Sequence, residues 1–385
     1  MKEFKSILRE LEKLDLSERK AAIATVVKVR GSSYRSPGAR MLITDDGRWV
    51  GSISGGCLEG DALRKARQVM IDNAPQTVTY DTREESNQNL GISLGCNGVI
   101  DVLIEPVHKN DRLDIIDTYR RLIASETPIA LATVFQGPGN EISKKVICTA
   151  GAETISNVTD RRLSSHLERD LEVLLQDRQS HSRTYAYGVE EYEVFLELIQ
   201  PSVSLIIFGG GFDARPVSSL AKSLGWDVTV TDECVAHIAP LFFPTADKLS
   251  LCQRTYIDRD FHITANTACV LMSHNYEYDR DVLKKLLSTP TPFIGILGPR
   301  KRFDKMLNEY QLEGLSLTES DFDRIHSPVG LDIGAEAADE IAVSIIAEIQ
   351  SKFANRDGGS LKYRQGPIHE RDLSSDQVFK QLYIN

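Results

Sequence analysis

The sequence predicts an α/β protein in which an N-terminal α/β domain, with signs of internal duplication, precedes a domain built on a parallel sheet. With 385 residues the chain is too long for one ordinary hydrophobic core. Within residues 1–200, a similar order of strands and helices occurs twice. After Pro201, wholly apolar segments alternate with helical ones, which is typical of a parallel sheet covered on both faces.

These observations divide the chain into three segments. We expect an N-terminal domain over residues 1–200, with repeat halves 1–108 and 125–200, and a second domain over residues 201–353. Residues 354–385 contain two adjacent glycines and many charges. For them we expect an extended C-terminal tail that is loosely held or that clasps another copy of the chain.

The composition excludes several classes of protein. A hydrophobic content of 41% and a charged content of 26% are ordinary for a globular protein, so we expect neither disorder nor a membrane span. The net charge of -10 gives no general attraction for a phosphate backbone, so nucleic acid is not an expected partner. The N-terminal segment MKEFKSILRELEKLDL is an amphipathic helix pattern without the apolar stretch of a signal peptide, which predicts a cytoplasmic protein.

The first half of the N-terminal domain begins with a β-branched strand at residues 21–29, AAIATVVKV. The segment RMLITDDGRWVGSI then predicts a hairpin around Asp46-Gly47, a dipeptide that favours tight turns. A helix from about Glu59 to Asn73 and strands near residues 78–80 and 99–105 complete this half.

The second half has a similar pattern. IALATV at residues 129–134 resembles AIATVV, and a weaker hairpin, a helix at about residues 160–175 and two strands follow. The offset is 108 residues between Thr25 and Thr133 but 92 between Val102 and Val194, so the first half has a longer segment before its last strand. Chance likeness between small α/β units is the alternative to duplication.

The six cysteines are not spaced as in a zinc site. Three lie in or beside apolar runs, where small buried side chains are common: Cys148, Cys252 and Cys269. Cys57 differs, because it follows Gly55 and Gly56 at the predicted start of a helix, where free amides attract anions and lower the pKa of a thiol. Cys96, which follows Gly95, has a similar setting and lies in the same half.

In the second domain, a strand, a glycine turn and a helix follow one another. Residues 209–214, GGGFDA, match the GxGxxA pattern of dinucleotide-binding folds and include three glycines: Gly209, Gly210 and Gly211. Asp232 closes the next strand, where an acidic group holds ribose hydroxyls. The pattern predicts a Rossmann-like domain. Asp213 in the first helical turn would compete with a pyrophosphate for the same amides, so a plain helix cap is the alternative.

The loops after the later strands carry further polar residues, among them His274 in SHNYEYD and Arg300 in GPRKR. The carboxyl ends of parallel strands meet at one edge of a sheet, so we expect these residues to line a ligand crevice together with the glycine turn. The alternatives are a histidine that only caps a strand and an arginine that is only solvated.

Taken together, these motifs resemble the XdhC/CoxI family, accessory proteins for the maturation of molybdenum hydroxylases such as xanthine dehydrogenase. The N-terminal match consists of GSSYRSPGARM, GSISGGCLEG and GCNGVIDVLIEP. The C-terminal match consists of FGGGFDARPVSSLAKSLGWDVTVTD, MSHNYEYDRDVLKKLL, GILGPRKR and SPVGLDIGAEAADEIAVSIIAEI. The resemblance extends to about residue 353.

The resemblance implies a protein that binds the molybdenum cofactor, shields it, supports its sulfuration and delivers it to an apo molybdenum hydroxylase. We also expect a cysteine desulfurase as a partner and a homodimer. The cofactor carries a phosphate and a dithiolene-bound metal, so its expected contacts are hydroxyl, guanidinium and amide donors with soft thiols: Ser32, Ser33, Arg35, Arg40, Ser54, Gly55, Gly56, Cys57, Gly95 and Cys96. Cys57 is the candidate molybdenum contact. A second set is expected in the crevice: Gly209, Gly210, Gly211, Asp232, His274 and Arg300.

Other functions stay open. Phe212 stands where the family often has a histidine, so no role of that histidine carries over, and a nucleotide in the crevice is a separate question. The glycine turn and Asp232 also fit an NAD(P)-binding oxidoreductase, and Cys57 also fits a nucleophile or a persulfide carrier. We rank cofactor binding first and expect a chaperone rather than a catalyst.

Overall fold

The computed structural model describes residues 1–56, 58–82, 98–108 and 113–365. The predicted residues Cys57, Gly95 and Cys96 lie outside the described residues, as does the tail from residue 366. The chain divides after Pro201 into two compact units. The expected fold class is confirmed, since the first unit combines helices with antiparallel sheets and the second contains a parallel sheet.

The first half of the N-terminal unit is a helix followed by a five-stranded sheet that carries a second helix. Its elements are α1 (Lys2–Lys13), β1 (Ala21–Gly31), β2 (Arg40–Thr44), β3 (Trp49–Gly51), α2 (Glu59–Asp72), β4 (Gln76–Asp81) and β5 (Gly98–Pro106). The strand order is β3-β2-β1-β5-β4, and neighbouring strands are antiparallel. Helix α2 buries Ala62, Ala66 and Val69, spaced at about one turn, against β1 and β5.

The second half has the same order of elements. They are α3 (Ile115–Ala124), β6 (Ile129–Gln136), β7 (Lys145–Thr149), β8 (Ile155–Ser156), α4 (Arg161–Asp177), β9 (His181–Tyr187) and β10 (Glu190–Ile199). The strand order β8-β7-β6-β10-β9 repeats that of the first half. Helix α4 is capped by Asp160, whose carboxylate accepts hydrogen bonds from two backbone amides of the first turn. Helix α3 was not predicted.

Contacts between the halves are reciprocal. Thr77 of the first half donates a hydrogen bond to the carbonyl oxygen of Phe135, and Ser182 of the second half donates one to the carbonyl oxygen of Val27 at 2.7 Å. Val27 and Phe135 are separated by the same 108 residues that separate Thr25 and Thr133, so the two bonds are equivalent. Equivalent strands also supply the core between the sheets: Val27, Leu103, Phe135 and Phe195. The N-terminal unit therefore has approximate internal two-fold symmetry.

The C-terminal unit is a six-stranded parallel sheet covered by helices. Its strands are β11 (Ser204–Phe208), β12 (Asp227–Asp232), β13 (Lys248–Leu251), β14 (Thr267–Leu271), β15 (Phe293–Ile296) and β16 (Ile325–His326). The spatial order β13-β12-β11-β14-β15-β16 is the 3-2-1-4-5-6 order of dinucleotide-binding folds. The four predicted strands are confirmed, whereas β13 and β16 were not predicted.

Helices lie on both faces of this sheet. They are α5 (Ala214–Ser223), α6 (Ile257–Asp260), α7 (Tyr276–Leu286), α8 (Arg300–Leu312), α9 (Glu319–Phe322) and α10 (Ala338–Phe353). Leu205 and Ile207 of β11 pack towards α5 and α10, whereas Ile206 and Phe208 pack towards α7 and α8, as the alternation of side chains along a strand requires. Within the described ranges, every helix is too short or too polar to cross a membrane.

Candidate functional site

The loop after β1 contacts the other two predicted motifs of the first half. The loop after β1 and the turn after β3 adjoin at Arg40, whose carbonyl oxygen accepts a hydrogen bond from the amide of Ser52 at 3.1 Å. Strand β5 begins beside the same loop, because a Cβ at Gly98 would lie 2.4 Å from the carbonyl oxygen of Ser32. Cys96 precedes Gly98 by two positions in the chain. Antiparallel pairing therefore brings together segments that are far apart in the sequence.

The turn before α2 is folded around the carboxylate of Glu59, which is 8% exposed. Its two oxygens accept seven hydrogen bonds of 2.5 to 3.2 Å from two hydroxyls and five backbone amides: Ser52 Oγ, Ser54 Oγ and the N–H groups of Ile53, Ser54, Gly55, Gly56 and Leu58. Burial alone would raise the pKa of Glu59, but hydrogen bonds from the hydroxyls of Ser54 and Ser52 and from the backbone outweigh it and lower the pKa to about 2.

The amides of Ser54, Gly55 and Gly56, which were expected to contact a bound cofactor, thus donate to Glu59 in this structure. Gly55 and Gly56 have φ values of +89° and +125°, which L side chains rarely adopt. Both are exposed, and no described atom outside the adjoining residues lies within 4 Å of either Cβ position. Glycine is needed here for its backbone conformation, and the outer face of the turn is open.

Arg40 is buried rather than presented to a ligand, with an exposure of 4%. Its guanidinium binds the carboxylate of Glu197 on β10 through two hydrogen bonds of 2.9 and 2.5 Å, and it also donates to the carbonyl oxygen of Gly38. Burial opposes the charged form, but the charge of Glu197 and its hydrogen bonds outweigh this effect and raise the pKa of Arg40. This position does not support the predicted donation to a cofactor, because both carboxylate oxygens of Glu197 engage the guanidinium and link the two halves.

A second buried ion pair is the counterpart of the first. Lys145 of the second half binds Glu105 of the first half at 2.7 Å, and both side chains are less than 10% exposed. In the strand registers, Arg40 lies opposite Thr25 and Lys145 lies opposite Thr133. Each half therefore supplies one buried cation to the other. The sequence analysis missed both pairs, since nothing local marks them.

The loop after β1 leaves Arg35 half-exposed. Its guanidinium forms an ion pair with Glu3 of α1, and its backbone amide donates to the hydroxyl of Ser33 at 3.3 Å. Its Nε atom is buried and lacks a hydrogen-bond partner among the described residues. Ser32, in the same loop, is exposed. An arginine donor that lacks an acceptor among the described residues, in a loop that also carries an exposed serine, fits an anionic ligand.

In the C-terminal unit, the glycine turn lies between β11 and β14, where the connections of the sheet diverge. Gly209 has a φ of +119°, and a Cβ there would lie 2.4 Å from the backbone of Ser273. The amide of Gly210 donates to Asp232 at 2.8 Å, and a Cβ at Gly211 would contact the ring of His274 at 3.4 Å. The fold thus brings the predicted glycines, Asp232 and His274 together at the carboxyl edge of the sheet.

Neighbouring side chains contact the polar groups at the carboxyl edge of the parallel sheet. Asp232 is 7% exposed and also lies 3.1 Å from Nδ1 of His237, whereas His274 is exposed and its Nε2 atom lies 3.2 Å from Asp213. Asp213 occupies the N-cap position of α5, but among the described residues its carboxylate accepts no capping hydrogen bond. Arg300 is exposed at the first position of α8.

Two further residues of the predicted SHNYEYD and GPRKR loops, Asp279 and Arg302, also lie at this edge. Asp279 of α7 is 1% exposed and accepts hydrogen bonds from Ser273 and Arg302, each at 2.6 Å. Burial raises the pKa of Asp279, although these partners oppose the shift. Among the described residues, three or more histidine, cysteine or acidic side chains are nowhere grouped so as to hold a metal ion.

Comparisons with known proteins agree with this architecture. The model of the XdhC Rossmann domain matches residues 205–349, and that of the XdhC and CoxI family matches residues 16–81. The chain is 30% identical over 341 residues to a probable xanthine dehydrogenase subunit from Bacillus subtilis (strain 168), with 88% of this chain and 95% of that protein covered. It is 24% identical over 347 residues to the molybdenum cofactor insertion chaperone PaoD of Escherichia coli (strain K12), with 90% of this chain and 88% of that protein covered.

A solved structure is similar over nearly the whole chain. It is described as a xanthine dehydrogenase from Bacillus halodurans, and it matches with a TM-score of 0.74 and 29% identity over 94% of this chain and 98% of that one. The sequence resemblance, the two family models and this likeness agree. The chain belongs to the XdhC and CoxI family.

Proposed function

We propose that this protein binds the molybdenum cofactor as cargo, supports its sulfuration and delivers it to an apo hydroxylase of the xanthine dehydrogenase type. The observation that carries the proposal is that the loop after β1, which contains Arg35, contacts the other two family motifs, through Arg40 with Ser52 and through Ser32 with Gly98. Among the described residues, the buried Nε atom of Arg35 has no hydrogen-bond partner. The name of the relative PaoD, a molybdenum cofactor insertion chaperone, supports the same role.

The residues of these motifs suit an anionic cofactor that carries a metal. When bound, the cofactor supplies a phosphate and a dithiolene-held metal. Arg35 and the hydroxyls of Ser32 and Ser33 would hold the anionic part, with Glu3 giving up its ion pair with Arg35. Cys57, which follows the exposed glycines of the turn, would supply a soft ligand, and Cys96 is the second candidate thiol.

Replacing Cys57 by alanine is expected to lower the molybdenum content of the protein about tenfold or more, because a lost ligand weakens metal binding by at least as much as a lost neighbour of a ligand. The protein is purified from cells that make the cofactor, and molybdenum and oxidised pterin are measured per chain. Cys234→Ala is the control, since Cys234 is an exposed thiol of the C-terminal unit. Wild-type protein without molybdenum or pterin would refute cofactor binding, and full retention by the Cys57 variant would remove Cys57 from the site.

The proposal includes two further properties, a desulfurase partner and a homodimeric assembly. A cysteine desulfurase would deliver sulfur to cargo held at the exposed turn, and a homodimer is the proposed assembly. Co-purification with a desulfurase and release of cofactor that activates an apo hydroxylase only after sulfur transfer would support the first. Light scattering that returns the mass of a single 42.9 kDa chain would contradict the second.

A nucleotide in the C-terminal unit is the second candidate. It is favoured by the strand order and by the contact of Gly210 with Asp232 at the switch point of the sheet. If this unit serves an NAD(P)-dependent oxidoreductase, titration with NAD(H) or NADP(H) should give saturable binding that Asp232→Ala weakens. Titrations without heat or fluorescence change would end this alternative.

A further inference from the structure

We propose that Glu59 is a positioning residue for the cofactor-binding turn, an internal anion around which residues 52–58 take their shape. The proposal deepens the function proposed above and rests on it for the role of the turn. Glu59 itself would not touch the cargo, because its carboxylate faces the inner side of the turn and is buried.

The turn surrounds one carboxylate with hydrogen-bond donors. Five backbone amides and two hydroxyls converge on one carboxylate, an arrangement that resembles the amide concavities in which proteins bind external anions. Gly55 and Gly56 aim their amides inwards only because both adopt positive φ values. Without the carboxylate, the amides of Ile53, Ser54 and Gly56 would lose the acceptor that they have among the described residues, and those of Gly55 and Leu58 would keep only the hydroxyls of Ser52 and Ser54. Buried donors without an acceptor are costly, so the turn would no longer be stable in this conformation.

This arrangement fixes the chain on both sides of Cys57. The amides of Gly56 and Leu58 both donate to Oε2 of Glu59, at 2.9 and 3.2 Å. The amides of the residues on either side of position 57 therefore share one acceptor atom, and that of Leu58 also donates to the hydroxyl of Ser54 at 2.9 Å. A ligand would meet the outer, exposed face of Gly55 and Gly56, not the amides, which are already engaged.

The second half offers a matched carboxylate. Glu141, which is 2% exposed, accepts hydrogen bonds from the amides of Thr159 and Asp160 immediately before α4. It therefore performs a similar buried contact at the start of the equivalent helix, but in the half without a glycine and cysteine turn. Loss of Glu141 reproduces the structural cost of losing a buried carboxylate without touching the proposed site.

The test compares Glu59→Ala, Glu59→Gln and Glu141→Ala by hydrogen exchange and by bound molybdenum. In Glu59→Ala, exchange of the amides of residues 53–58 should accelerate about tenfold or more, and molybdenum per chain should fall by a similar factor. Sodium formate should restore both in Glu59→Ala, because formate can refill the vacated space, whereas sodium chloride at the same concentration should not. Glu59→Gln fills that space with a neutral group, so formate should not alter the exchange rates or the molybdenum content of that variant.

Glu141→Ala should keep its molybdenum and the exchange rates of residues 53–58. Unchanged exchange in Glu59→Ala, or equal rescue by chloride and formate, would overturn the positioning role. If Glu59→Ala does not fold, Glu59→Gln alone still decides, since unchanged exchange and molybdenum content in that variant would overturn it. Wild-type protein without molybdenum would refute the proposed function. The exchange measurements would still test whether Glu59 positions the turn.

Discussion

Glu197→Gln is expected to destabilise the N-terminal unit by about 3–5 kcal/mol, because it leaves the buried guanidinium of Arg40 without its counter-charge. The two side chains are only 5% and 10% exposed, so water cannot replace the lost partner. The measurement is urea unfolding followed by fluorescence in a Trp226→Phe background, in which Trp49 reports on the N-terminal unit.

Two controls separate the buried charge from other effects. Glu190→Gln breaks an exposed ion pair with Arg162 and should change the unfolding free energy by about 0.5 kcal/mol or less. The double replacement Arg40→Met with Glu197→Leu removes both charges and should recover most of the lost stability. A Glu197→Gln variant within about 1 kcal/mol of the parent protein would show that the counter-charge on Glu197 does not stabilise the N-terminal unit.

The elements that local patterns could predict are those with enough residues to show a period. The hairpin at Asp46-Gly47 and the four apolar strands of the parallel sheet were found in this way. Helix α3 was missed although its buried residues have helical spacing and Asp114 accepts a capping hydrogen bond, so the signal was present. Strand β16 has only two residues and exists because β15 offers it a pairing edge. No local pattern can reveal such a strand.

The site shows a similar division between local and distant causes. The glycine turn and Asp232 are local features of a strand, a turn and a helix, and the fold brings them together as expected. Arg40 resembled a ligand-binding arginine because it is charged and lies in a motif, but its burial is decided by Glu197, 157 positions away. A charge pattern gives no information about such a partner. Only the pairing of the two halves determines which arginine stays accessible.

The roles of the two outer glycines in the C-terminal turn can be separated by a single methyl group. Gly209→Ala is expected to cost the C-terminal unit about 2–5 kcal/mol, since the residue has a φ of +119° and the new Cβ would lie 2.4 Å from the backbone of Ser273. Neither the strained backbone nor the neighbouring loop can move without disturbing β11 and β14, which are hydrogen-bonded neighbours. Unfolding in a Trp49→Phe background, with Trp226 as the remaining tryptophan, measures the loss.

Gly211→Ala is the matched control, because its Cβ would make an ordinary contact of 3.4 Å with the ring of His274 and its φ is not positive. We expect its unfolding free energy to stay within about 1 kcal/mol of the parent value. The two variants also test nucleotide binding. A methyl group at position 211 would narrow the space through which a nucleotide reaches the turn, while the fold persists. If Gly209→Ala proved as stable as Gly211→Ala, the close packing between the loops after β11 and β14 would not explain the glycine at position 209.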